Sequence, residues 1–374
     1  MYKQMSLSSK TIPQVSIIII NFREPELTLE CIKMLIANTP QSHETILIDN
    51  GSLKSSFDIL AKGLKKMKSV FVRVHKNSKN LGYAKANNQG ARISRGSILV
   101  FINNDVVVTS DWLTPLLRFL DQNPTVAACQ PKFHSLGEPK YFDYAGGAGG
   151  FIDMFGYPFT RGRIFDSVEE DVGQYDTTSP IIWAAGSCLV MRKKAFWEMG
   201  GFDEYFFAYG EETDLCLRLI EGGYSIAVVP ASCVFHLGAY TSNKNLPEKI
   251  YLIHRNHLYL VFKHYSLWPY FPILIFRVLM DIGALIYYIK RRQIAFIGSV
   301  WKAYATFVRQ VPQLVQNGVI TIRGRNLMKI PYIYRGSIVV DYFLLRRRHF
   351  SELYGKTSYT NVKSYQDVTH TYIL

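Results

Sequence analysis

The first 105 residues contain four short apolar runs separated by amphipathic stretches. The runs are rich in β-branched residues and largely apolar, which predicts strands buried on both faces, as in a parallel sheet. Strands that alternate with helices at this spacing predict a doubly wound, mainly parallel α/β sheet. We predict strands at 15–21, 44–49, 70–74 and 97–102 and helices at 25–38, 54–66 and 83–93.

The regular alternation ends after the fourth strand. A further helix is predicted at 111–121, with Ser110 or Asp111 as its N-cap. Residues 133–180 are rich in glycine, aromatic and acidic residues, which predicts long loops over one end of the sheet. Strand-like apolar runs return at 181–191 and 225–229.

The most apolar stretch of the chain is 267–289, followed by the basic run 290–292. Its length would suffice to span a bilayer. It also contains Arg277 and Asp281, and a charge costs roughly 2.5–3.5 kcal/mol at the centre of a spanning helix. Their i,i+4 spacing allows them to pair. We therefore expect a helix lying in the membrane interface, and a buried core helix is the alternative.

Charge divides the chain into two parts. Residues 1–240 carry 24 Lys+Arg and 24 Asp+Glu, whereas residues 241–374 carry 19 and 5, which is the whole excess of +14. Because the basic residues lie among apolar stretches, they favour an anionic membrane surface over nucleic acid as partner. We divide the chain into a polar N-terminal tail (1–12), an α/β domain (13–240) and a basic, amphipathic helical C-terminal region (241–374), which we expect to associate with membranes.

Cysteine use and the N-terminus indicate the compartment. The five cysteines form no CxxC pair, which argues against zinc and predicts buried free thiols in a reducing cytosol. The first ten residues have no apolar core, so no signal peptide is predicted. We expect a cytoplasmic protein that associates peripherally with the inner face of the plasma membrane.

Three carboxylates lie within four residues, at Glu211, Glu212 and Asp214. An amphipathic helix follows and ends at Gly222, so the acids lie at a helix N-terminus. Repulsion between close carboxylates raises at least one pKa, which makes this cluster a candidate general base. The alternative is that the acids only complement the helix dipole.

Polar residues follow three of the predicted strands, and ligands of open α/β sheets bind at the carboxyl ends of the strands. Asp105 is the best metal candidate, because a charge at the end of a buried strand is costly without a partner. Mg²⁺ or Mn²⁺ prefers such carboxylate oxygens, and His236 is a possible second ligand or else a core histidine. The three polar sets are Asn21, Arg23 and Glu24; Asp49, Asn50 and Ser52; and Asn103, Asn104 and Asp105.

Small residues at 82, 84, 86 and 90 allow close approach of a ligand or tight packing of a helix. Together with the other motifs, in this order, they resemble the family 2 glycosyltransferases with the GT-A fold, especially the rhamnosyltransferase-like group. The resemblance covers about residues 13–240. The segments that carry it are 15–22, 48–52, 80–90, 101–105, 186–192 and 206–218, with His236.

The resemblance implies roles for individual residues. Asp49 would hold the base of a nucleotide sugar, and Glu212 would be the general base, with Glu211 and Asp214 beside it. Asn103-Asn104-Asp105 replaces the family's D-x-D, so only Asp105 is retained for a divalent metal (Mg²⁺ or Mn²⁺), with His236 as second ligand. The other expected donor-binding residues are Asn21, Glu24, Asn50, Ser52, Gly82, Asn88, Asn103 and Asn104.

The implied activity is inverting transfer of a sugar, with rhamnose as the best guess. The donor would be a nucleotide diphosphate sugar, and the acceptor a hydroxyl of a glycan or of a saccharide linked to polyprenyl diphosphate. A non-catalytic, membrane-associated sugar-nucleotide-binding scaffold is the alternative from another class. A nucleotidyltransferase is disfavoured, because no glycine-rich loop with a basic residue follows the first strand.

Overall fold

The computed structural model describes residues 13–67, 72–238, 246–265, 267–316, 330 and 332–356. The strands are β1 (Val15–Asn21), β2 (His43–Asp49), β3 (Val72–Lys76), β4 (Ile98–Asn103), β5 (Val106–Val108), β6 (Val126–Ser135), β7 (Gly150–Ile152), β8 (Pro158–Thr160), β9 (Arg163–Ile164), β10 (Ser167–Val168), β11 (Ser179–Pro180), β12 (Cys188–Arg192) and β13 (Ser225–His236). The helices are α1 (Pro25–Asn38), α2 (Lys54–Lys66), α3 (Tyr83–Ile93), α4 (Leu113–Gln122), α5 (Lys193–Glu198), α6 (Glu211–Glu221), α7 (Leu246–His264), α8 (Leu267–Lys290), α9 (Ile294–Gln316) and α10 (Ile338–Phe343).

A nine-stranded sheet forms the centre, in the order β11-β13-β6-β12-β4-β1-β2-β3, with β5 beside β13. Strands β4, β1, β2 and β3 are mutually parallel, and the apolar side chains of β4, β1 and β2 are almost all buried on both faces, whereas Val74 of the edge strand β3 is 40% exposed. The register sets Asn21 opposite Asp49 and Ile20 opposite Asn103. The polar residues that follow these strands therefore share one edge, and the predicted mainly parallel α/β architecture is confirmed.

Strand β12 is antiparallel to both of its neighbours, β4 and β6, and joins the parallel half of the sheet to β6 and β13. The strand predicted at 181–191 begins only at Cys188, whereas the one predicted at 225–229 extends to His236. The third predicted strand is seen as β3, and residues 68–71 lie outside the described part of the chain.

Two predictions from the pattern were wrong. Residues 133–180 are not loops alone, because they hold the four-stranded antiparallel sheet β10-β9-β8-β7, whose strands of two or three residues are too short to show a period. Helix α4 begins at Leu113 with Trp112 as N-cap, so neither Ser110 nor Asp111 caps it. Asp111 has a φ of 56°, outside the usual N-cap conformation, and accepts a hydrogen bond from Thr114 Oγ1.

All five cysteines are free thiols. Cys31, Cys129, Cys188 and Cys216 are buried, and Cys233 is half-buried. The predicted buried thiols are therefore confirmed for four of the five positions.

Helix α8 turns its charges inward and its apolar residues outward. Arg277 and Asp281 are 1% and 3% exposed, and Arg277 Nε lies 3.5 Å from Asp281 Oδ2, as their spacing predicts. Among the helices described, none combines the length and the apolar character needed to cross a bilayer. The outward residues, all more than 40% exposed, are Ile275, Val278, Leu279, Ile282, Ile286, Tyr287 and Ile289.

Candidate active site

The ends of β1 and β2 hold one carboxylate in a fixed orientation. Asn21 Nδ2 donates to Asp49 Oδ1 at 2.7 Å and to Ser52 Oγ at 3.1 Å. The other oxygen of Asp49, Oδ2, is buried without a hydrogen-bond partner in the described part of the chain. Buried acceptors are normally paired, so Asp49 Oδ2 is positioned to accept an N–H from a ligand. Asn21 and Ser52 orient this carboxylate.

Asn50 and Gly82 connect this edge to the loop before α6. Asn50 Nδ2 donates to Gly82 O at 3.2 Å, and Asn50 Oδ1 accepts from the Leu81 N–H at 3.1 Å. Gly82 has a φ of 85°, and a Cβ there would lie 2.5 Å from Phe207 O. Only glycine allows this approach. Gly82 therefore packs closely against the backbone of residue 207, and its predicted contact with the donor stays a prediction.

Two other predicted donor residues bind protein groups. Asn88 Nδ2 donates to Phe202 O at 2.8 Å, and its Oδ1 accepts from the Phe202 N–H. Asn104 Nδ2 donates to Thr28 Oγ1 at 2.9 Å, and Glu24 immediately precedes α1 as its N-cap residue. Asn88 and Asn104 therefore hold neighbouring segments in place.

Asp105 and His236 lie together, as the metal hypothesis requires. His236 Nε2 is 3.3 Å from Asp105 Oδ1, and its Nδ1 is 2.9 Å from Asp143 Oδ1. Burial alone would lower the pKa of His236, but the two carboxylates outweigh it and raise the pKa to about 9. The sequence reasoning missed Asp143, whose only signal is that it is an acid at the start of the glycine-rich run.

The residues present offer a partial metal site. Within the described ranges, no three His, Cys, Asp or Glu side chains are grouped as metal ligands. Asp105 Oδ1 is buried and faces the ring of His236, which can offer a ring nitrogen to a metal only when a proton leaves it, so two ligands fit once His236 is deprotonated. Mg²⁺ and Mn²⁺ commonly complete their coordination with water and phosphate oxygens, which suits a two-residue site. Asn103, at the end of β4, is half-buried beside it.

The first two acids of α6 have raised pKa values. Glu211 is buried, and burial together with the neighbouring charge of Glu212 raises its pKa well above the ordinary value. Burial also raises the pKa of Glu212, although its Oε2 accepts the Gly210 N–H at 3.2 Å. Glu211 Oε2 has no partner among the residues described. Carboxyl groups with raised pKa values, here at the start of a helix, are candidates for proton transfer.

Asp214 is different, because it is fully buried among cations. Its Oδ1 lies 2.8 Å from Lys263 Nζ and 2.9 Å from His264 Nε2, and its Oδ2 lies 2.6 Å from Arg218 Nη2. Burial would raise the pKa of Asp214, but these groups hold it well below the ordinary value. With 0% exposure it cannot touch a substrate, so we assign it a positioning role: it joins α6 to α7.

The loop that leads into α6 is strained. Phe207 has φ 65° and ψ −62°, and the Ala208 N–H donates to Phe206 O at 2.7 Å, which is a γ-turn with positive φ. Tyr209 follows with a φ of 71°. Such conformations cost about 1–3 kcal/mol each and persist only where surrounding contacts enforce them.

Helix α7 supplies those contacts. Asn256 Nδ2 lies 2.9, 2.7 and 2.6 Å from the carbonyl oxygens of Phe206, Ala208 and Tyr209. Arg255 Nη2 donates to Phe206 O at 2.7 Å. Sequence reasoning missed both residues, because an Arg-Asn pair within an amphipathic helix gives no signal of where it docks.

A chain of contacts links the metal candidate to the acids. The ring of Tyr144 lies 5.5 Å from that of His236, centroid to centroid. Burial, then the neighbouring Tyr144 and Glu211, raise the pKa of Tyr209 to about 12. Lys249 Nζ lies near the rings of both Tyr144 and Tyr209, and Tyr209 is two residues from Glu211 along the chain, so the Asp105–His236 pair and the acidic pair flank these two rings.

Similarity to a solved structure supports the architecture. The crystal structure of GalNAc-T7 with UDP, GalNAc and Mn²⁺ superposes with a TM-score of 0.54 at 19% sequence identity, over 69% of this chain and 49% of that one. At this identity the match concerns the fold. The chain has the GT-A type of α/β fold, followed by C-terminal helices.

Sequence comparison identifies the family. The family model described as Glycosyl transferase family 2 matches residues 16–200. This segment belongs to glycosyltransferase family 2, as the motifs indicated, and its relatives include rhamnosyltransferases.

Two relatives are informative. The O-antigen biosynthesis protein RfbC of Myxococcus xanthus is 28% identical over 243 residues, which is 64% of this chain and 18% of that protein. The N-acetylglucosaminyl-diphospho-decaprenol L-rhamnosyltransferase of Mycobacterium tuberculosis is 34% identical over 90 residues, 24% of this chain and 29% of that protein. The chain thus matches less than a third of either relative's length.

Proposed function

We propose that the protein is an inverting glycosyltransferase that uses a nucleotide diphosphate sugar. The observation that carries the proposal is the pair Glu211–Glu212, with raised pKa values, next to Tyr209, which Lys249, Tyr144 and His236 connect to Asp105. A base and a diphosphate-binding edge within one site are what such a transfer needs.

Glu212 is the proposed general base. Its carboxylate removes the proton from an acceptor hydroxyl, and the hydroxyl oxygen forms a bond to the anomeric carbon of the donor. The bond from that carbon to the diphosphate oxygen breaks, and its electron pair leaves with the diphosphate. Attack from the face opposite the leaving group inverts the configuration. Glu212 is half-buried and can reach a substrate, whereas Glu211 is 3% exposed.

Asp49 is the proposed contact to the nucleotide base. Its Oδ2 is buried and lacks a donor among the residues described, and Asn21 fixes its other oxygen. Asp105 and His236 would hold a divalent metal, which when bound neutralises charge on the departing diphosphate. Asn103 lies at the same strand end and is proposed to contact the donor phosphates.

The identities of the sugar and of the acceptor are further parts of the proposal. We propose rhamnose as the sugar, on the named activity of the Mycobacterium relative, and a glycan or a polyprenyl diphosphate-linked saccharide as the acceptor. Association with an anionic membrane surface is supported by the outward apolar face of α8 next to Lys290, Arg291 and Arg292. The site of action would then be the cytoplasmic face of the plasma membrane.

A panel of nucleotide sugars tests the proposal. Binding and hydrolysis are measured with and without Mg²⁺ or Mn²⁺, for the wild type and for Glu212→Gln. We expect one donor to bind selectively with metal, and Glu212→Gln to lower turnover by about 10²–10⁴-fold while donor affinity is kept. The matched control is Glu26→Gln, which changes an exposed acid in the first turn of α1.

The outcomes separate the candidate functions. A folded wild-type protein that binds no donor in the presence of metal would contradict the proposal. Selective donor binding without any turnover would favour the scaffold instead. If Glu212→Gln lost donor affinity as much as turnover, the assignment of the base would be wrong.

A further inference from the structure

A patch beside the acidic pair combines two exposed rings with two cations. It consists of Tyr144, Tyr209, Arg163 and Lys249, and we call it the aromatic–basic patch. Tyr144 and Tyr209 are 37% and 39% exposed. Lys249 Nζ lies 5.7 Å from the ring centroid of Tyr144 and 5.8 Å from that of Tyr209, and Arg163 Cζ lies 5.4 Å from the centroid of Tyr144.

Within the described ranges, the two cations of the patch have no carboxylate partner. Arg163 Nε donates to the carbonyl of Phe165 at 2.8 Å, and no carboxylate of the described residues pairs with Arg163 or Lys249. The segment 239–245, which precedes α7, contains one lysine and no acidic residue. Burial, and then the charge of Arg163, lower the pKa of Lys249. Like charges held together without an anion cost free energy, which an anionic ligand would recover.

The patch borders the proposed reaction site. Tyr209 immediately precedes Gly210 and the acids, and the ring of Tyr144 packs edge-on against His236. The patch thus lies between the proposed base and the proposed metal edge. An acceptor whose hydroxyl reaches Glu212 would pass over these rings.

We propose that the aromatic–basic patch binds an acceptor sugar that carries a phosphate or diphosphate group. The sugar would pack on the exposed rings, which are the usual apolar lining of ligand sites. Its phosphate oxygens would pair with Lys249 and with the Arg163 guanidinium. The two cations would also offset the repulsion between such an acceptor and the acids of α6. This inference rests on the proposed glycosyl transfer and selects an anionic acceptor over a neutral glycan.

Binding of sugar phosphates tests the proposal without a donor. Calorimetric titration compares a panel of sugar 1-phosphates, each paired with the methyl glycoside of the same sugar. We expect at least one phosphate to bind about tenfold more tightly than its neutral partner, and Lys249→Gln and Arg163→Gln each to reduce this preference about tenfold. Lys62→Gln, which changes an exposed lysine of α2, is the matched control and should retain it.

Two further titrations identify the source of the phosphate and the site that binds it. The same sugars attached through diphosphate to a farnesyl chain show whether a lipid-linked or a free sugar phosphate binds better, and either result supports the proposal. Asp49→Ala, a change at the donor edge, should leave the phosphate preference intact.

The proposal is overturned if the folded wild type prefers no phosphate, or if both patch variants keep the preference. It is also overturned if only Asp49→Ala removes the preference, because the sugar phosphate would then occupy the donor edge. Failure of the glycosyltransferase proposal would appear separately, as a wild-type protein that binds no nucleotide sugar.

Discussion

The three carboxylates within one turn of α6 have opposite electrostatic environments. Glu211 and Glu212 have no cationic partner among the residues described, and their pKa values are raised. Asp214 contacts three cationic or basic side chains, and its pKa is lowered. Two of those three partners, Lys263 and His264, come from α7. Contacts from helix α7 therefore keep Asp214 ionised as the anchor of α6. Glu211 and Glu212 lack such contacts and can accept a proton.

The largest expected effect is on stability, through Asp214→Asn. Removal of one partner from a buried ionic cluster leaves uncompensated charge, so the free energy of unfolding should fall by about 3–5 kcal/mol. The measurement is denaturant unfolding of the full chain, with Asp58→Asn, at an exposed position of α2, as control. A loss no larger than that of the control would contradict the anchoring role.

The sign of the pH dependence sharpens this prediction. Because the folded pKa of Asp214 lies below the ordinary value of 3.8, its contribution is present above that pH and is lost as the pH falls further. The difference in stability between the wild type and Asp214→Asn should therefore shrink in acid. A difference that grew in acid would show that another group is responsible.

A smaller effect is expected on turnover, through Asn256→Asp. The aspartate has nearly the same shape but cannot donate to the carbonyls of Phe206, Ala208 and Tyr209, so the strained loop should relax. With an active donor, kcat should fall about tenfold and KM for the donor should stay within about twofold. The control is Asn38→Asp, whose amide donates to the carbonyl of Met34 on α1. Equal changes in kcat and KM would point to general damage instead.

The smallest effect is expected on the pH profile, through Glu211→Gln. The wild-type activity should rise with pH through the pKa of Glu212, above the value of 4.5 for an ordinary glutamate. Because the charge of Glu212 raises the pKa of Glu211 well above that value, Glu211 is still protonated where Glu212 ionises, and the acid limb of kcat/KM should stay in place. A limb that moves to lower pH in Glu211→Gln would show that Glu211 ionises before Glu212.

The parallel half of the fold could be predicted because its strands are largely apolar runs bounded by turn residues. The helices predicted at about 25–38, 54–66 and 83–93 agree with α1, α2 and α3. The small sheet β7–β10 could not be predicted, because strands of two or three residues carry no periodicity. The N-cap of α4 was misplaced because Asp111 takes a positive φ that the sequence does not reveal.

The part of the candidate site that lies at the ends of strands could be predicted from the sequence. Parallel strands in register bring the residues that follow them to one edge of the sheet. Asp143 was missed because it lies in an irregular segment and meets His236 only through tertiary packing. The same holds for Asn256, which is 50 residues from Phe206 along the chain. The roles predicted for Glu212, Asp49 and Asp105 remain predictions.

The buried thiol of Cys216 can serve as a probe for the local opening of α6. It lies two residues after Asp214 with 0% exposure, and burial raises its pKa to about 12. The thiolate is the form that attacks alkylating reagents, so Cys216 can react only in moments when α6 detaches from its packing. Its rate of modification, followed by mass spectrometry, therefore reports how often the helix that carries the acids opens.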